Sequence, residues 1–112
     1  MKKLLLLSSL FLFVVSCSSD SDDELIEDTP TTITYSNTIR PIMSAKCTGC
    51  HGDPLTNNAP MPLITYENVK DATESRGLIN QVESGNMPKN GTKLSSAQIA
   101  NIKTWKTNGY LE

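Results

Sequence analysis

The chain has 112 residues, with ten Lys and Arg against twelve Asp and Glu for a formal net charge of −2. That length admits one small domain, and the scattered basic residues, with no basic stripe, exclude a dedicated nucleic-acid binder. Phe11 and Phe13 both lie in the N-terminal apolar run, so Trp105 and three tyrosines are the only aromatics left to build a core. A protein-only core in such a domain is thin and calls for another source of apolar mass.

Lys2 and Lys3 precede an apolar run from Leu4 to Val15, the charged and hydrophobic regions of a secretory signal, and the run is too short to span a bilayer. Val14-Val15-Ser16-Cys17 closes it and resembles the lipobox of bacterial lipoproteins, which implies cleavage before Cys17 and acyl chains on its sulfur. More than one acyl chain makes such an anchor stable. An unprocessed thiol in an ordinary signal peptide is the competing reading. Residues 1–16 are accordingly assigned to the signal, and residues 17–33 to the lipidated cysteine and a tether.

Residues 18–30 hold six acidic residues and no basic one, a one-signed composition that cannot bury enough apolar surface to order itself. Ser18 in place of an aspartate after the cysteine points to the outer membrane, on its periplasmic or surface side. From Thr31 onward eight Lys and Arg face six Asp and Glu, so the domain is slightly cationic where the tether is acidic.

Residues 34–112 read as short helices joined by Gly, Pro and Asn loops, without strand alternation. Ile39, Ile42 and Met43 recur at helical spacing, and Pro41 is acceptable in a helix that begins near Thr38 and ends at the cysteines. Met43 belongs to the core stripe.

Cys47-Thr48-Gly49-Cys50-His51 then carries the chemistry. Two cysteines two residues apart and followed by histidine form the covalent haem c attachment signature: the sulfurs add to the haem vinyl groups and the imidazole ligates the iron. Structural zinc needs four ligands where this domain offers two cysteines and one histidine. A thioredoxin-like dithiol needs a strand-helix-strand setting that is not visible here. His51 is the sole histidine, so the cofactor is one haem c, and its second axial ligand is something softer or is missing.

Gly52 to Pro62 is too rich in turn residues for a helix and reads as a loop along one haem face. Tyr66 to Ala72 and Gly77 to Val82 read as two short helices. Met87-Pro88 follows in a glycine-bearing loop. The last helix is capped by Ser95 with Gln98 three positions on, buries Ile99, Ile102 and Trp105 or Lys106, and stops at Gly109.

An early Cys-x-x-Cys-His, a late Met-Pro and the ending Leu94-Ser95-x-x-Gln98-Ile99-x-x-Ile102-x-x-Trp105 together resemble the class I monohaem c-type cytochromes over nearly all of Thr34 to Leu111. The chain departs from that pattern in its two Met-Pro pairs and in the short loop before Met87. The resemblance implies an all-α domain, a small cytochrome c fold of about four short helices wrapped around one covalently bound haem. It also implies attachment outside the cytoplasm, in keeping with the export signal. Met87 becomes the sixth ligand, opposite His51, with Met61 as the alternative.

A thioether ligand favours ferrous iron and suits an electron carrier. The resemblance further implies that a backbone carbonyl shortly after the motif holds the other imidazole nitrogen, in a loop fixed by Pro60 or Pro62. Trp105 packs in the core or donates to a haem propionate. Lys89 and Lys93 mark a docking face or are ordinary loop lysines, and Arg40 and Lys46 are surface residues. The haem supplies the missing core, so the porphyrin-free chain is expected to fold poorly.

The function expected is electron transfer by a lipid-anchored monomer between redox protein partners, without enzymatic activity of its own. Two alternatives stay open. One is a gas sensor or peroxide-reactive haem protein with an open sixth site; the early motif is unlike the four-helix cytochromes with such a site, in which it comes near the C-terminus. The other is a haem-stabilised docking subunit of a larger oxidoreductase.

Overall fold

The computed structural model describes residues 32–112, which carry helices and no strand. The signal, Cys17 and nearly all of the acidic tether lie outside the described residues. Among the described residues no helix is long and apolar enough to cross a membrane.

The first helical segment starts earlier than its hydrophobic spacing suggests. Thr34 caps it, accepting from the Asn37 amide, while the Asn37 side chain accepts in return from the Thr34 amide. Tyr35–Ile39 then forms a wide π turn, with the Ile39 amide donating to the Thr34 carbonyl at 3.2 Å. It runs directly into α1, Arg40–Lys46. Pro41 sits within the first two positions of α1, where a proline ring would clash with a carbonyl four residues back in a regular helix. The wider turn relieves that crowding. As expected, α1 ends at the cysteines.

Three further helices follow: α2 over Tyr66–Ser75, α3 over Leu78–Glu83 and α4 over Ser96–Thr107. α2 runs three residues past the expected Ala72, its polar continuation supported by the Thr73 hydroxyl donating to the Val69 carbonyl at 2.7 Å. Gly77, at φ 70°, turns the chain from α2 into α3.

α4 matches expectation at both ends. Ser95 and Gln98 cap each other's amides, and Gly109, at φ 81°, closes the helix with two reverse bonds: Gly109 to the Lys106 carbonyl and Tyr110 to the Trp105 carbonyl. Trp105, fully buried, completes the stripe; Lys106 is exposed.

The core joins the two ends of the domain. Tyr35, Ile39, Ile42 and Met43 pack with Ile102 and Trp105 of α4, and with Val69 and Ala72 of α2. Tyr35, Tyr66, Trp105 and Tyr110 form an aromatic group, with the Trp105 and Tyr110 rings edge to face at 4.9 Å. The Leu111 carbonyl accepts both the Tyr35 amide at 2.8 Å and the Trp105 indole at 2.7 Å. The single indole donor is thereby spent on the backbone, so Trp105 is a packing residue and not a propionate partner.

Trp105→Ala should cost about 3–5 kcal/mol and Ser95→Ala about 1 kcal/mol in chemical denaturation, because the first empties the core and the second removes one cap.

Candidate functional site

α1 delivers its C-terminus to the Cys-x-x-Cys-His motif. The Cys47 amide donates to the Met43 carbonyl at 2.8 Å, and the Cys50 and His51 amides both donate to the Cys47 carbonyl, winding the motif into a compact turn. Gly52 is required directly after it: a β-carbon there would lie 2.6 Å from the Thr48 carbonyl oxygen. Both cysteines are free thiols, and Cys47 packs against the core. Burial pushes the Cys47 thiol up to about 11.

His51 is buried, and its Nδ1 lies 2.8 Å from the Met61 carbonyl oxygen. A carbonyl only accepts, so Nδ1 is the donor, and in the neutral ring Nε2 is then the nitrogen with a lone pair for a ligand bond. The expected backbone acceptor therefore comes from the residue flanked by Pro60 and Pro62. The Leu63 amide returns a 2.7 Å bond to the His51 carbonyl, and the loop is clamped at both sides of the imidazole.

Beside the motif lies a cavity of about 340 Å³. Small-molecule sites typically measure about 300–1,000 Å³. Cys47, Cys50, His51, Met61 and Met87 all line it, and Leu63, Leu78 and Val82 give it apolar walls. Met87 reaches it from the segment between α3 and α4, where its amide donates to the Gln81 carbonyl at 3.0 Å. Met61 reaches it from the loop whose carbonyl already holds His51. Sequence reasoning separated these two methionines from Met43, which is buried in the core and does not line the cavity.

Several lining residues had no signal in the sequence. Lys46 and Arg76 line the cavity with Lys89, and no carboxylate does. Lys46 also donates to the Thr92 carbonyl at 3.4 Å, and Arg76 pairs through Nε with Asp71 at 2.6 Å. Lys93 does not line the cavity; its ammonium donates to the Pro88 carbonyl and braces the Met87 segment. Asn57 and Asn58, both in the left-handed region, also reach the cavity.

No family model matches the chain, and no curated protein or solved structure matches it.

Gly52→Ala should destabilise the protein by about 1–3 kcal/mol, because the added methyl forces the turn beneath His51 open. Gly49→Ala, where a β-carbon meets nothing within 4 Å, should stay within about 0.5 kcal/mol of wild type. Equal melting curves for the two variants would contradict the tight turn.

Proposed function

We propose that this chain is a lipid-anchored monohaem c-type cytochrome that transfers single electrons between protein partners. Cys47 and Cys50 would hold one haem through thioether links, and His51 and Met87 would ligate its iron. The observation that carries the reading is a convergence on one cavity with apolar walls. Both thiols of the motif, an imidazole with its Nδ1 proton already committed, and a methionine from a distant segment meet there.

The donor set fits the group. A neutral imidazole with Nδ1–H on a backbone carbonyl is the form that ligates iron through Nε2, and its hydrogen bond raises its basicity. A thioether supplies a soft second ligand without adding charge. When bound, the haem supplies a one-electron iron couple; the polypeptide holds the ligands still and keeps the walls apolar.

The burial of Cys47 argues against a dithiol oxidoreductase. Cysteines that exchange disulfides are activated by a lowered pKa, whereas burial raises that of Cys47. Lys46 and Lys89 in the lining support docking of partners that present carboxylates at the cavity mouth. Acyl chains on Cys17 would keep these encounters at a membrane surface.

Absorption spectra of protein produced with haem-attachment machinery test the ligand set. The ferric form should show a sulfur-to-iron charge-transfer band that Met87→Ala abolishes and Met61→Ala retains. The ferrous wild type should not bind carbon monoxide, and ferrous Met87→Ala should bind it. A band lost only in Met61→Ala would transfer the sixth position to that residue. A wild type without the band and with avid carbon monoxide binding would replace the electron carrier with an open-site haem protein.

A further inference from the structure

The two cysteines of the motif are held by different means. Cys47 follows α1 directly, with its amide on the Met43 carbonyl and its side chain against the core. Cys50 lies in the turn beyond, outside any helix. Its sulfur instead receives a hydrogen bond from the Asn57 side-chain amide at 3.1 Å. Among the described residues this is the one side-chain hydrogen bond to either sulfur.

Asn57 belongs to a strap folded back over the motif. The Thr56 amide donates to the Cys50 carbonyl at 3.0 Å and its hydroxyl to the Gly49 carbonyl at 2.9 Å. Asn57 itself sits at φ 52°, a left-handed conformation that asparagine tolerates far better than most residues. That backbone places the amide on Cys50 while the residue also lines the cavity. Asp or Gly would satisfy the backbone equally well, but neither carries the donor.

We propose that Asn57 is a positioning residue for the second haem linkage: its amide aims the Cys50 sulfur at the vinyl group that it must join. The inference rests on the haem reading above. In each linkage the thiol adds across a vinyl double bond; a carbon–sulfur bond forms at one vinyl carbon, the proton goes to the other, and no electrons are gained or lost. A thioether sulfur is still a weak acceptor, so forming the link does not of itself abolish the Asn57 contact.

The test uses the full chain, exported with haem-attachment machinery, as wild type, Asn57→Asp, Asn57→Gly and Thr56→Val. Alkylation followed by peptide mass spectrometry reads the free thiol at each cysteine, and thermal melts follow the fold. Wild type should carry porphyrin with both cysteines blocked. Both Asn57 variants should keep the Cys47 link and raise the free Cys50 fraction about fivefold, the factor expected from one ordinary hydrogen bond. Thr56→Val, which loosens the strap without touching sulfur, should leave Cys50 blocked.

Full blockage of Cys50 in both Asn57 variants overturns the inference and leaves the haem reading standing. Thr56→Val releasing Cys50 as much as the Asn57 variants do also overturns it, because the strap alone would then explain the effect. Wild type without porphyrin removes the haem reading and this inference with it.

Discussion

A 2.8 Å hydrogen bond between His51 Nδ1 and the Met61 carbonyl is the constraint around which the site is arranged. A buried imidazole with an unpaired N–H would cost about 1–3 kcal/mol, so the loop from Gly52 to Met61 must return to the motif that it leaves. Its return settles which nitrogen carries the proton and which way the ring faces. Two prolines flank the acceptor and restrict the backbone where that carbonyl is presented, and the amide of Leu63 closes the circuit on His51. The chemistry available to Nε2 is thus decided by backbone geometry ten residues away in sequence.

The rest of the domain divides into a finished half and an open half. Around Trp105 the packing is complete: four aromatic side chains, the two ends of the described chain and the Leu111 carbonyl meet without solvent at the indole. On the other side Leu63, Leu78 and Val82 belong both to the core and to the cavity wall. Each is only 4–6% exposed, so the apolar wall of the cavity is continuous with the packed core. Of the acidic residues on α2, Asp71 pairs with Arg76 at the edge of the cavity, while Lys46 and Lys89 line it without a carboxylate beside them.

Local signals in the sequence were the legible ones. Ser95 with Gln98, and Gly109 after the last turn, define α4 because caps act within a few residues of the backbone groups that they satisfy. The Cys-x-x-Cys-His spacing and the prolines near the histidine's acceptor are equally local. Hydrophobic spacing places the start of the first helix too late because it marks the buried stripe and not the polar Thr34 cap, and does not register the π turn before Pro41. The extra turn of α2 is polar on its outer side and depends on a threonine bonding back to its own helix. Arg76 comes to the cavity through the packing of separate elements, and nothing in its immediate sequence announces it, whereas Lys46 adjoins the motif and Asn57 lies in the loop that follows it. The choice between Trp105 and Lys106 also needed the actual helix rotation.

The covalent attachment proposed at Cys47 and Cys50 is read directly by intact mass. The full chain, exported by cells that possess haem-attachment machinery, should gain the mass of one porphyrin on the peptide that holds Cys47, Cys50 and His51, and should retain it through denaturation and acid extraction. Exported protein whose mass is accounted for by polypeptide and acyl chains alone, with both motif thiols free, would contradict the account.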